Sequence, residues 1–401
     1  MSNVLKNYAS TLWMLAGIIL GAIVGIWFTP AVPYLKPIGE IFMNLLFTII
    51  VPLVFLSIVW AIYNLCAKQM VGKVLLNTLI VFLGMAVLLG TISYVACLIY
   101  NPLENFDTNW QLESTNRDIP VGELLVSNLT VNDFIKLFNK SSLLPLIIFA
   151  ALFGYAIAAL GEKGTSMARF IDQANQTIIK FIDIIIRFAP IGIGCYFADI
   201  ISQLGGEIIG SYIRVIILYL VLTVLVYFVV YPVIVYLFRG SNGLRLFWQN
   251  VLPSSLMAIS TCSSSACIPV NIEQTKKMGA NTIIADSIVP LGTNLNKNGS
   301  LLCDVIKVIF AMVFLGMNIH SFSGAVIIIG IAFLASIVVG AVPSGAITSE
   351  MLICSMLGCT DPTMVAILVV IANIIDIPAT LLNATGNVVS PLVISKVTMN
   401  E

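Results

Sequence analysis

The chain has 401 residues, 59% of them hydrophobic and only 9% charged, with a mean hydropathy of +1.04. Soluble domains carry about 25% charged residues, so this composition excludes an ordinary soluble protein and predicts an all-α polytopic membrane protein. A net charge of zero and an isoelectric point near 6.6 argue against a nucleic-acid partner.

The first apolar run, about residues 10–28, follows a short polar start with Lys6 and is long enough to span, so it reads as a helix and not as a cleaved signal. Further spanning-length runs follow at 38–64, 72–100, 142–160, 175–203 and 211–238, which predicts six ordinary helices in the first 240 residues. Between the third and fourth lies a polar insert, 101–141, with Glu104, Asp107, Glu113, Arg117 and Asp118. Lys68, Lys73, Lys163, Arg169, Arg239 and Arg245 fall in alternate connections. The positive-inside rule then puts the N-terminus in the cytoplasm and the acidic insert outside, with Lys36 as the one exception.

Beyond residue 245 the apolar runs are interrupted at their centres. The first, about Phe247 to Val270, carries Ser260, Thr261, Cys262, Ser263, Ser264 and Ser265 and then Pro269; another, about Ser321 to Leu357, carries Gly340 to Ala346 with Pro343. Each is too broken for a straight spanning helix and too apolar for an aqueous loop, which predicts a re-entrant hairpin with an unwound tip. Between them, about Ala280 to Met317, the run Gly292 to Ser300 holds Asn294, Asn296, Lys297 and Asn298 and predicts a broken helix. The last segment carries Asp376, Thr380, Asn383 and Asn387 at steps of 4, 3 and 4, one polar stripe on one helix face. An ionisable group at the bilayer centre costs about 2.5 kcal/mol or much more, so this face must meet something polar. Hairpin, broken helix, hairpin and striped helix is the order expected of two inverted repeats around a site at the bilayer midplane. The eight cysteines form no CxxC pair and lie mostly in apolar runs, and His320 is the single histidine, so neither a metal site, a disulfide framework nor a cofactor is expected.

The serine-rich tip, the Asn-x-x-Gly-Ser break, the Pro-Ser-Gly hairpin and the Asp-x-x-x-Thr-x-x-Asn-x-x-Gly helix together resemble the dicarboxylate/amino acid:cation symporters, the glutamate-transporter family, across the whole chain. The resemblance implies eight transmembrane helices plus two re-entrant hairpins, a homotrimer in the cell membrane, and an elevator movement. Its divisions would be 1–240 for the scaffold and part of the transport domain, and 241–401 for the transport core. The core would comprise hairpin 1 at about 247–274, broken helix 7 at 280–317, hairpin 2 at 321–360 and helix 8 at 362–396. It also implies that Asp376 and Thr380 receive a substrate ammonium, while Asn383, Ser263, Ser264, Ser265 and backbone near Val339 and Val342 hold its carboxylate. A zwitterionic amino acid suits that set, since anions favour exposed helix N-termini and an ammonium favours a carboxylate.

Departures from the family pattern carry as much information. Acidic-substrate members place an arginine where this chain has Ala379; Cys262 and Ala372 replace a second arginine and a supporting aspartate. Without the arginine fork a side-chain carboxylate loses a bidentate partner, which predicts a small neutral amino acid unless Lys297 supplies the charge. The two sodium-site aspartates are Asn298 and Asn387 here, and Lys297 sits beside Asn296 within the break. A unit charge 4 Å away contributes about 4 kcal/mol at an effective dielectric of 20, so Na+ binding is expected to be weak. Lys297 would then replace a bound cation in a sodium-independent carrier, coupled to H+ if that lysine exchanges protons and otherwise a facilitator or exchanger. Sodium-coupled symport of an amino acid or dicarboxylate is the alternative, and a channel or amino-acid sensor on the same scaffold is the rival of another class. An intramembrane serine hydrolase lacks a base near Ser263 to Ser265, so no catalytic residue is expected. Asp286, Asp304, Lys307 and Glu350 are expected to form structural ion pairs.

Overall fold

The computed structural model describes residues 2–67, 72–101, 130–139, 142–204, 207–339, 346–359 and 362–399. These residues form helices and turns, with no strand among them. Helices satisfy their own backbone groups, which is the requirement the bilayer imposes. By length and composition, Leu76–Ile99, Gly210–Thr261 and Asp376–Thr398 could each cross a membrane, and Ala16–Trp27 with Thr29–Leu45, bent by 110°, could do so as a pair.

The first half contains α1 (Ser2–Trp27), α2 (Val32–Ala67), α3 (Gly72–Ile99), α4 (Leu143–Ala159), α5 (Thr165–Ile186), α6 (Ala189–Leu204) and α7 (Glu207–Leu225). Most of the polar insert lies outside the described residues; within it, Phe134–Leu137 makes one helical turn capped by Asp133, whose carboxylate accepts from the Ile135 N–H at 2.9 Å. The apolar run 175–203, expected as one helix, is two. The chain turns at Arg187 and Phe188, ahead of Pro190, which has no N–H to continue the α5 ladder. α5 is also amphipathic, with Asp172, Gln173, Gln176 and Lys180 among its polar positions, so it belongs at a boundary between apolar and polar surroundings.

α1 packs along α6, and α2 packs against α4, α5 and α6. The α1–α6 crossing is close enough that a Cβ on Gly17 or Gly21 would overlap the carbonyls of Pro190 and Gly194, so these positions admit only glycine. Lys36, the exception in the charge pattern, pairs with Asp199 at 3.2 Å and fastens α2 to α6.

α7 runs through a π-helical turn, Val226–Val230, into α8 (Tyr231–Thr261). α8 is kinked at Gly240, whose φ of 66° suits a residue without a side chain. Thereafter come α9 (Ile268–Lys277), α10 (Thr282–Leu295), α11 (Asn298–Phe314), α12 (Phe322–Val339), α13 (Ala346–Met356), α14 (Pro362–Ile374) and α15 (Asp376–Met399). The last segment, expected as one helix from about 362 to 396, is broken at Ile375. Pro378 in the first turn of α15 contributes no N–H, and the ladder restarts with Ala379 N–H donating to Ile375 O at 3.0 Å.

α15 is the hub of this second half: α3, α8, α9, α10 and α11 all pack on it. α3 joins this half despite its early place in the chain, and Ser93 Oγ donates to Leu302 O in α11 at 2.9 Å.

The expected ion pairs are present. Lys276 meets Asp286 at 2.7 Å near the surface. Deep between α11 and α13, Lys307 pairs with Asp304 at 2.6 Å and with Glu350, and Ser349 Oγ donates to Asp304 at 2.9 Å; the three charged residues are at most 2% exposed. Removing one member of such a buried set leaves an uncompensated charge, a loss of about 3–5 kcal/mol. Lys307→Ala should therefore lower the detergent melting temperature sharply, while Asp304→Asn/Lys307→Met/Glu350→Gln, which removes every charge together, should lower it less.

Candidate functional site

Three interruptions of helix meet beside α15: the turn Cys262–Cys267 between α8 and α9, the two residues Asn296 and Lys297 between α10 and α11, and Ile375 between α14 and α15. The α10–α11 break is shorter than the nine polar residues suggested, because Gly292 to Leu295 stay helical. Asn296 (φ −114°, ψ 72°) and Lys297 (φ −95°, ψ 68°) alone leave the helix.

Asn383 holds that break in place. Its side-chain oxygen accepts from the N–H groups of Gly299 at 2.8 Å and Ser300 at 3.2 Å, and its amide nitrogen donates to Ser300 Oγ at 3.1 Å. It thus acts as a cap supplied from a neighbouring helix, satisfying amides that the start of α11 leaves open. The approach depends on glycine, since a Cβ on Gly299 would overlap the carbonyl of Ala379. Asn296, buried, donates to Ser390 Oγ at 2.6 Å. Two tyrosines brace the same region: Tyr219 donates to Gly299 O at 2.9 Å and Tyr231 to Leu382 O at 2.8 Å.

Two opposite charges flank the junction. Asp376, the first residue of α15, is exposed while Ile375 and Ala379 beside it are buried. Lys297 is 7% exposed and lies within electrostatic range of Asp376 without an ion pair to it among the described residues. Both face the α8–α9 turn, Asp376 near Cys262 and Lys297 near Cys267. In that turn Cys262 adopts a left-handed conformation (φ 49°), Ser264 is buried, and Ser265 is exposed; Ser263 Oγ accepts from the Ala266 N–H at 3.3 Å. Thr380 is buried one turn beyond Asp376.

Asn387 lies one turn beyond Asn383 on the same face of α15, and Asn298 follows Lys297 at the start of α11. Asn387 is 1% exposed, and among the described residues neither its amide oxygen nor its nitrogen has a hydrogen-bond partner; Asn298 is 2% exposed. The Asn387 oxygen sits over Gly292 and the Asn298 nitrogen against Gly386. Lys297 therefore does not fill the place beside Asn387. Of the remaining candidates, Val339 ends α12, and Val342 lies outside the described residues.

The constellation has the chemistry of a membrane solute carrier, with a carboxylate, an ammonium and hydroxyls at helix ends inside an apolar body. Residues 11–397 match the model of the sodium:dicarboxylate symporter family. The chain belongs to that family. It is 28% identical to a proton/sodium-glutamate symport protein of Geobacillus stearothermophilus over 95% of this chain and 92% of the relative. A C4-dicarboxylate transport protein of Bacillus subtilis is 28% identical over 76% of this chain and 74% of the relative. A proton/glutamate-aspartate symporter of Bacillus subtilis is 25% identical over 96% and 93%. The protein is therefore an integral membrane secondary transporter and not an enzyme.

Reasoning from the sequence placed Asp376, Lys297, Asn383 and the serine turn in one region, and the structure brings them together. It missed Tyr219, Tyr231 and Ser390, whose signal is only a polar atom in an apolar helix, and it did not anticipate that Asn383 caps α11. Replacing that cap removes the acceptor for two buried amides. Asn383→Ala should cost about 1–2 kcal/mol of ligand-free stability, read by denaturation in detergent, whereas Asn383→Asp, which keeps the acceptor at a helix N-terminus, should cost less.

Proposed function

We propose that this family member carries small neutral amino acids such as serine, threonine or alanine, without sodium, as a homotrimer in the plasma membrane with its N-terminus in the cytoplasm. Asp376 and Thr380 receive the substrate's ammonium, and the α8–α9 turn receives its carboxylate. α8–α9 and α12–α13 act as re-entrant hairpins that close over the substrate, and the second half of the fold moves past the first in an elevator stroke. The reading is supported above all by one feature: the region bears a lysine, Lys297, within electrostatic range of Asp376, and carboxamides at Asn298 and Asn387. A lysine there lowers the attraction for a second cation by about 4 kcal/mol at 4 Å and an effective dielectric of 20. Ala379, buried, offers no side-chain donor to an acidic substrate.

A second reading is favoured by the relatives, whose names specify glutamate or C4-dicarboxylates and coupling to protons or sodium. In that case Lys297 holds the second carboxylate of an acidic substrate. Both readings are separated by uptake of labelled serine, threonine, alanine, glutamate and succinate into proteoliposomes.

The expected outcome is uptake of the neutral amino acids with or without a sodium gradient; strict sodium dependence, or preference for glutamate or succinate, would overturn the proposal. A proton gradient applied alone reports whether Lys297 or another group carries H+ as the coupling ion. Lys297→Met combined with Asn298→Asp and Asn387→Asp removes one positive charge and adds two negative ones, so uptake by that variant should become sodium-dependent. Ala379→Arg restores a fork for a side-chain carboxylate and should shift the preference toward glutamate, measured as a change of at least about tenfold in the ratio of glutamate to serine uptake.

A further inference from the structure

The site holds two opposite charges, Lys297 and Asp376, that are not paired with one another among the described residues. Lys297 is more than nine-tenths buried, yet among the described residues its ammonium makes neither a hydrogen bond nor an ion pair. The comparison with Lys307 is direct: that equally buried lysine has two carboxylates and a serine around it. The stem is buried but the ammonium is not wholly enclosed, since Lys297 Nζ is not one of the fully buried unpartnered side-chain atoms, so an acceptor arriving from outside the fold can reach it.

Three side chains of the site bear on what the lysine meets. The Asn387 oxygen is unpartnered, so the lysine does not reach it. The Asn383 oxygen already takes two backbone N–H groups. Asp376 is within electrostatic range but makes no ion pair with Lys297, so the two charges face one another across a separation. A pair of opposite charges held apart beside one exposed serine turn fits a ligand that carries both signs.

We propose that Lys297 is a substrate-binding residue that, alongside the α8–α9 turn, pairs with the carboxylate of a zwitterionic amino acid while Asp376 pairs with its ammonium. This rests on the reading that the three converging interruptions hold an amino acid. It differs from the cation-replacing role in what satisfies the lysine: a replaced cation keeps protein ligands in every state, whereas here the acceptor arrives and leaves with the substrate. Within residues 262–267, 296–298 and 375–383 Lys297 is the one basic side chain, so in those segments no other fixed positive charge can take the carboxylate. Ala379 offers none. The zwitterion is net neutral, so loading it leaves the charge of the site unchanged.

The test uses the full-length protein purified in detergent, with binding of L-serine, L-threonine and L-alanine measured by calorimetry beside their carboxamides, which keep the ammonium and lack the carboxylate. Wild type should bind the tightest amino acid at least about thirtyfold more strongly than its carboxamide. Lys297→Gln should weaken the amino acid by a similar factor and change the carboxamide by less than about threefold, and Lys297→Arg should retain most of the affinity. Equal loss for acid and carboxamide, no loss at all, or recovery of amino-acid affinity in Lys297→Gln on adding sodium would overturn the assignment, the last by showing that the lysine stood in for a cation. Should Lys297→Gln not fold, the wild-type ratio and Lys297→Arg decide: a wild type indifferent to the carboxylate rules the pairing out. Failure of wild type to bind any of the three amino acids would remove the neutral-amino-acid reading, and this assignment with it.

Discussion

The break between α10 and α11 depends on a hydrogen-bond debt met from outside. A helix that begins inside an apolar body exposes several N–H groups with no partner and no water to replace it. Here Asn383, from α15, supplies the acceptor for the amides of Gly299 and Ser300. The exchange is mutual, because Tyr231 and Asn271 donate to carbonyls of α15, at Leu382 and Ala384. α15 is thus held by its backbone as well as its side chains. That lets five other helices pack on it while Asp376, at its first turn, stays open. Gly299 is the steric condition for this arrangement, since the backbone of Ala379 approaches too closely there for a Cβ, and at Gly386 a Cβ would meet the side-chain ends of Asn298 and Tyr231.

Two lysines in this part of the fold show how the same side chain can serve structure or chemistry. Lys307 is surrounded by Asp304, Glu350 and Ser349 and binds α11 to α13. Lys297, ten residues earlier at the start of the same helix, has opposite charge nearby but no direct partner. Burial alone does not separate them, as both are below a tenth exposed. Partners among the described residues do: Lys307 is satisfied by protein, whereas Lys297 is the one proposed to await a ligand.

Much of the site was legible in the sequence because polar residues in a hydrophobic chain stand out. The 4, 3, 4 spacing of Asp376, Thr380, Asn383 and Asn387 identified a shared helix face, and the serine run and the asparagine-rich break marked real interruptions. What could not be read was where each polar group finds its partner. Asn383 looked like a ligand-facing carboxamide, and only the fold shows its oxygen turned to α11. Breaks set by a single proline inside a long apolar run were also underestimated, as at Pro190 and Pro378, since hydropathy averages over the one missing N–H that decides them. The triad at Lys307 was legible as ion pairing because Asp304, Lys307 and Glu350 are charges in so apolar a stretch that they need partners, whereas the partner of Asp286, Lys276, was not named.

The two buried carboxamides, Asn298 and Asn387, bear on how such a carrier can be driven. Among the described residues the Asn387 side chain has no hydrogen-bond partner, and Pro391, one turn after Asn387, has no N–H to offer the Asn387 carbonyl. A carboxylate in either place would demand a counter-charge in the apolar interior, and binding a cation would meet it. A carboxamide makes a much smaller demand, and so loses the coupling that the demand creates. The positive charge at Lys297 acts in the same direction, by repelling a cation from the neighbourhood. On the proposed reading, carboxamides in place of carboxylates loosen the link to sodium, and the Lys297 ammonium ties the electrostatics of the site to the solute being carried.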